Sequence, residues 1–178
     1  MAGPLVSSLD QSAGTEAKVD QASNVHGSAI VIRQEDPAQP DVVQLLRNGE
    51  ANSARLYPAE SNHHLLLDAL RQPEVCFLVA RNASGRALAT GALVHNGNWG
   101  EIKRMWVEEK VRGCGLAKEV LAALVAKARE AGFEVLRLET GIVSHAALSL
   151  YERAGFRRRG PFARYRPDPL SVFMEKQL

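Results

Sequence analysis

Cysteine is scarce: Cys76 and Cys114 are the two in 178 residues. They are too few for a disulfide framework and stand in no CxxC or zinc-ligand spacing, so a reducing interior is expected. Long apolar runs are missing too. Nowhere do about 18 apolar residues follow one another, which argues against a membrane-spanning helix. Residues 1–20 carry neither the basic start nor the continuous apolar segment of a secretory signal, and the expected location is cytoplasmic, away from the membrane. An excess of one charge is also lacking, with 22 Lys and Arg against 20 Asp and Glu. That balance gives no argument for nucleic acid as a partner. The densest basic run, from Arg153 through Arg157, Arg158 and Arg159 to Arg164 and Arg166, reads first as a solvated face.

What is present suits a folded domain. Hydrophobic residues make up 46% and charged residues 24%, far from the composition of disorder, and the length fits one hydrophobic core. Residues 1–27 are rich in Ser, Ala, Gln and Gly without an apolar period and are expected to be a flexible tail, leaving 28–178 as the domain. A strand at 29–32 precedes a helix that Asp41 can cap and that Asn48-Gly49 should end. Ser61 opens a second helical pattern, stopped before Pro73. Strands at 75–80, 87–94 and 101–107 form a meander and a further strand.

A long helix then runs to Ala131-Gly132, with Leu116, Val120, Leu124 and Ala128 on one face. It is followed by a strand at 133–139, a helix at 144–154 ended by Gly155, a short strand after Phe156 and an edge strand at 171–176. The predicted fold is α/β: one domain with a mixed, mostly antiparallel sheet of six or seven strands and about four helices.

The chemically informative stretch runs from Val107 to Ala117, where an apolar strand ends, a short charged link follows, and Arg112-Gly113-Cys114-Gly115-Leu116-Ala117 opens a helix. Glycines at 113 and 115 let successive backbone N–H groups turn toward an anion, and the helix start adds unpaired donors and a positive dipole end. Arg112 can add charge-assisted contacts. The spacing is not that of a Walker A loop, and Lys118 stands where a dinucleotide fingerprint needs a small residue. A ligand-free glycine turn is the plain alternative.

This loop, the amphipathic helix, the strand after it and Leu150-Tyr151-Glu152-Arg153-Ala154-Gly155-Phe156 together resemble the GNAT superfamily of N-acetyltransferases. Its signature is (Arg/Gln)-x-x-Gly-x-(Gly/Ala) followed by a helix ending in Tyr-x-x-x-Gly-Phe. The resemblance implies acetyl-CoA as co-substrate, no metal, and acetyl transfer to a primary amine by direct attack in a ternary complex. It also implies that backbone groups of Met105, Trp106 and Val107, on a strand that splays from its neighbour, hold the pantetheine arm. The amides of Arg112, Gly113, Cys114, Gly115, Leu116, Ala117 and Lys118 would cradle the pyrophosphate.

Tyr151 would lie beside the thioester, and a phenol of pKa about 10 is a competent proton donor to a departing thiolate. The amine must lose a proton. Glu101 resembles in position the carboxylate that some members use through a water, with Glu139, Glu108 or bulk water as alternatives. Ser144 stands where many relatives carry an Asn that contacts the cofactor; it serves that contact or caps the helix.

Adjacent histidines 63 and 64 point about 100° apart on a helix and cannot chelate one metal as an i, i+4 pair does. They follow Tyr57-Pro58 in the helix-loop-helix that covers the acceptor in this superfamily, which makes Tyr57 and His63 candidate substrate contacts. His145 is expected to be exposed, Cys114 to contribute only its backbone, and Cys76 to be core. The first-choice acceptor is a free amino acid or other small amine, with a protein N-terminus or lysine as the alternative. A non-catalytic acyl-CoA sensor and a nucleic-acid modifier are the readings of other classes. Homodimerisation rests on the resemblance alone.

Overall fold

The computed structural model describes residues 21–25, 28–61 and 65–178. The strands are β1 (Gln21–Val25), β2 (Ser28–Gln34), β3 (Val75–Asn82), β4 (Ala87–Asn96), β5 (Trp99–Val107), β6 (Val135–Gly141), β7 (Arg157–Arg159) and β8 (Ser171–Gln177). The helices are α1 (Pro40–Leu56), α2 (Leu67–Leu70), α3 (Leu116–Glu130) and α4 (His145–Arg153), with short 3-10 turns at Ala59–Ser61 and Glu109–Val111. All eight strands join one sheet in the order β1-β2-β3-β4-β5-β6-β8-β7. Only β5 and β6 run parallel; every other neighbouring pair is antiparallel.

The centre of the sheet follows from side-chain alternation. On β3 the run Val75 to Ala80 is buried throughout, and successive residues sort to opposite faces because strand side chains alternate. Cys76, Leu78 and Ala80 join the cluster under α3, with Leu116, Val120, Leu121 and Leu124. Val75, Phe77 and Val79 join the cluster under α1, with Val42, Leu45 and Leu46. Each large apolar side chain so buried contributes roughly 1.5–3 kcal/mol.

Several expectations are corrected. The sheet has eight strands because Gln21–Val25, expected in the tail, pairs along β2; residues 1–20 lie outside the described residues. Helix α1 does not stop at Asn48-Gly49 but continues to Leu56. Gly49 has a packing role: a Cβ there would meet the Trp106 ring at 3.2 Å, so glycine lets the helix settle onto β5. Pro40 occupies the first turn and Gln39 the cap, while Asp41 binds Arg81 at 2.5 Å.

Among the described residues the second helix is the single turn Leu67–Leu70, preceded by Leu66, which is 76% exposed; residues 62–64 of the expected helix lie outside the described residues. Strand β8 is not an edge: it lies between β6 and β7, because the short arginine strand pairs along its outer side. Of the arginine run itself, Arg153, Arg157, Arg158, Arg164 and Arg166 are exposed, in keeping with a solvated face.

Candidate active site

Strands β5 and β6 are hydrogen-bonded only from Trp99 to Ile102 and from Val135 to Leu138. Beyond that they separate. Among the described residues no strand pairs with the β6-facing edge of β5 from Lys103 to Val107. A cleft of about 1240 Å³ opens there. Its walls come from the end of α1, the open edge of β5, the loop before α3, the end of β6 and the start of α4.

A bulge in β5 shapes the cleft. Three residues of β4, from Thr90 to Ala92, face four of β5, from Trp106 back to Lys103. The extra residue is absorbed at Arg104, whose φ is +55°, and Thr90 Oγ1 donates to the Arg104 carbonyl at 2.9 Å to hold it. Bulges bend a strand and re-aim its side chains, and they concentrate near active sites.

At one end of the cleft stands the glycine loop. Gly113 and Gly115 have φ of +83° and +88°, with open space where a Cβ would stand. This backbone is left-handed, which only glycine adopts without strain. Among the described residues, the amides of Gly113, Gly115, Leu116 and Ala117 donate to no backbone carbonyl, whereas the Lys118 amide already bonds the Gly115 carbonyl at 2.9 Å. The Lys118 amide is thus engaged within the loop, while the residue itself lines the cleft.

Arg112 is turned back: its Nε donates to the Val107 carbonyl at 3.1 Å, and its guanidinium lies 4.4 Å from the centre of the Trp106 ring. It braces the loop against β5, and the Val107 carbonyl is not open. Met105, Trp106, Val107, Leu116 and Ala117 line the cleft, and Cys114 does not. Donors, dipole and open space at this end fit a diphosphate, and the open edge of β5 fits an amide-bearing arm.

In the middle of the cleft Tyr151 projects from α4 and is 5% exposed. Burial, and secondarily the Glu139 carboxylate, raise its pKa well above that of an ordinary phenol. Glu139 lines the cleft and accepts a hydrogen bond from Ser171 Oγ at 2.7 Å.

Glu101 stands within the paired stretch of β5 and β6, opposite Arg137. It is 9% exposed and does not line the cleft; Lys103 Nζ reaches its Oε1 at 3.1 Å and the Tyr165 hydroxyl donates to the same oxygen at 2.5 Å. Lys103 also donates to the Tyr165 oxygen at 2.5 Å. Burial and the neighbouring Glu101 raise the pKa of Tyr165. Tyr165 belongs to an aromatic group with Phe162 and Phe173 that pins the loop between β7 and β8 under this part of the sheet. Nothing in the local sequence linked residues 62 positions apart.

Tyr57, just after α1, narrows the other end. Its ring lies so close to Gly141 that a Cβ there would stand 2.0 Å from the Tyr57 hydroxyl. The hydroxyl meets Ser144 Oγ at 2.9 Å. Ser144 does occupy the cap of α4, but its side chain makes no capping bond, so the position and the expected capping bond come apart. Histidines 63 and 64 lie outside the described residues, and His145 is exposed. Among the described residues no group of three or more His, Cys, Asp or Glu could hold a metal ion, and no helix is long and apolar enough to cross a membrane.

Fold and cleft together define a nucleotide-thioester transferase scaffold: a sheet that splays over a glycine-built anion cradle. Residues 42–156 match the profile of the Acetyltransferase (GNAT) family, and the chain belongs to that family. It is 44% identical over 151 residues to an IAA acetyltransferase of Azospirillum brasilense, covering 84% of this chain and 98% of that protein. An uncharacterized N-acetyltransferase of Bacillus subtilis, YsnE, is 38% identical over 83% of this chain and 99% of its own length.

Among solved structures, a Klebsiella pneumoniae chain assigned to the acyl-CoA N-acyltransferases superposes with a TM-score of 0.72 at 39% identity, over 84% of this chain and 97% of that one. The PaiA N-acetyltransferase of Thermoplasma acidophilum, solved with coenzyme A, shares the fold at 20% identity with a TM-score of 0.68, over 84% and 99%. The protein is an acetyl-CoA-dependent N-acyltransferase.

Proposed function

We propose that the chain acetylates the primary amine of a small molecule by direct attack in a ternary complex. The observation that carries this is the narrowing of one end of the cleft, where Tyr57 spans from α1 to Gly141 and bonds Ser144. A protein acceptor needs an open groove, whereas a small acceptor is held in an enclosed site. The similarity to an IAA acetyltransferase of Azospirillum brasilense also supports a small acceptor. The two cysteines, Cys76 and Cys114, both remain thiols, which suits a reducing cytoplasm.

Acetyl-CoA brings a thioester, whose carbonyl carbon accepts the amine. In this reading the amides of Gly113, Gly115, Leu116 and Ala117 hold the pyrophosphate, and the open edge of β5 at Met105 and Trp106 aligns the arm. The chain then needs two proton functions. The amine is mostly protonated at neutral pH and must shed a proton. Glu139 is the carboxylate that lines the cleft, so it takes that proton directly or through water, while Glu101 orients Lys103. As the new C–N bond forms and the C–S bond breaks, sulfur leaves as a thiolate.

Tyr151 faces this event. With its pKa raised, the phenol stays protonated throughout the physiological range, and complete transfer to a thiolate whose parent thiol ionises near ~8.5 is uphill. Its contribution is therefore hydrogen-bond donation to the developing thiolate, with the proton finally supplied by solvent. Positioning and electrostatics carry the rest of the rate.

Thiol release from acetyl-CoA, followed against small amines and against peptides, tests this reading. Turnover with small amines supports it; turnover only with peptide N-termini or lysines overturns it.

A further inference from the structure

The acceptor end of the cleft contains a charge arrangement that acetyl transfer as such does not need. Arg104 lines the cleft at the β5 bulge. A non-glycine residue at positive φ costs about 1–3 kcal/mol and persists only where its surroundings enforce it; here the Thr90 hydroxyl does so. The Arg104 side chain is 6% exposed, yet among the described residues its ion pair runs to Glu50 on α1, at 2.8 Å, and Glu50 is itself 46% exposed. Its Nε is buried without a hydrogen-bond partner. A buried, unmet donor is costly, and more so on a charged group.

A guanidinium offers five donors in a rigid fork that matches a carboxylate with two parallel bonds. The neighbouring cation is already committed, since Lys103 donates to Glu101 and to Tyr165. Apolar surface completes the picture. Leu56 and Val143 line the cleft and are 49% and 46% exposed, and Leu170 lines it beside them. Burying such surface against a ligand gains roughly 25 cal/mol per Å².

We propose that Arg104 reads a carboxylate on the acceptor, so that the acceptor is an amino acid with an apolar side chain. The carboxylate meets the unmet Nε of Arg104, the side chain covers Leu56, Val143 and Leu170, and the amine is left facing the thioester. This rests on the small-amine reading above and narrows it.

The test compares leucine, leucinamide and 3-methylbutylamine as acceptors for the full chain. Leucinamide controls for amine basicity, because its amine is less basic than that of leucine and is more fully unprotonated at neutral pH. The expected result is a kcat/KM for leucine at least about 100-fold above that for either analogue, since a site with buried donors rejects a substrate that leaves them unpaired. In Arg104→Gln that ratio falls toward one, mainly through the KM of leucine, and Arg104→Lys keeps part of it.

Coenzyme A titration calorimetry shows which variants are folded; should Arg104→Gln not bind, the wild-type ratio and Arg104→Lys decide. Equal wild-type turnover of leucine and leucinamide overturns the proposal and leaves the small-amine reading standing. Equal loss of both acceptors in a folded Arg104→Gln also overturns it, because the residue is then structural. If no amine is acetylated, both readings fall together.

Discussion

The sheet face under α3 and the stretch of β5 and β6 under the β7–β8 loop are built from different materials. Under α3 the contacts are apolar: Leu116, Val120, Leu124, Leu136, Leu138 and Met174 are almost fully buried in one continuous cluster. Across the sheet, the same strands β5 and β6 present Glu101, Lys103, Arg137 and Glu139, tied into pairs with Tyr165, Glu175 and Ser171. Apolar packing is insensitive to which ligand arrives, so the α3 side can hold the cradle and the strand edges rigidly for a cofactor that never changes. Paired charges and hydroxyls are directional and leave donors at stated places, as at Arg104, so the other side is where an acceptor is told from its analogues.

Perturbing each side in turn breaks or sharpens this contrast. The largest effect is expected from Tyr151→Phe, which removes the thiolate's donor and should lower kcat by roughly ten- to a thousandfold, while calorimetry finds coenzyme A bound about as before. An unchanged kcat would falsify the role given to its hydroxyl. Next comes Gly115→Val, which forces a β-branched residue into left-handed backbone and should weaken coenzyme A about 10- to 100-fold, consistent with a strain of about 1–3 kcal/mol. Binding within twofold of wild type would dissociate the loop from the cofactor.

On the acceptor side, Gly141→Ala pushes a methyl into the Tyr57 ring. Overpacking of this kind costs about 1–3 kcal/mol. Chemical denaturation should read that loss, and Tyr57→Ala in the same chain should recover most of it; additive losses would mean that the two residues do not share the space. Ser144→Ala removes one half-buried hydroxyl bond to Tyr57 and is expected to cost only about 0.5–1.5 kcal/mol, with the acceptor's KM rising more than that of acetyl-CoA.

Acid gives the smallest and most diagnostic change. Arg81 holds the pKa of Asp41 below its ordinary value, and Arg137 chiefly, then Arg159, does so for Glu175. A carboxylate depressed in the folded state contributes stability at pH values above its unfolded pKa and loses it as pH falls through the folded pKa. Hydrogen exchange near pH 3 compared with pH 7 should therefore loosen β7 and β8 before α3. Uniform loosening would erase the distinction between the faces.

Much of the scaffold was legible from short-range pattern. The apolar run of β3, the fourfold recurrence in α3 and the paired glycines at 113 and 115 act within a few residues of themselves, and each reappears in place. The eighth strand, the extension of α1 past Gly49 and the inner position of β8 were not legible. Each depends on a partner far along the chain: β2 for Gln21–Val25, Trp106 for Gly49, and β7 for β8.

The site divides in the same way. Local sequence determined the helix opening with unmet amides and the tyrosine helix that faces it, because left-handed glycines and helix starts are properties of a few consecutive residues. Only the tertiary structure decided that Lys118 is spent on its own helix, that Glu101 is held by Lys103 and Tyr165 while Glu139 lines the cleft, and that Arg104 is buried at a bulge with a donor to spare. Whether a charged side chain is free, paired or desolvated depends on what the fold brings against it from elsewhere, and no spacing along one strand encodes that.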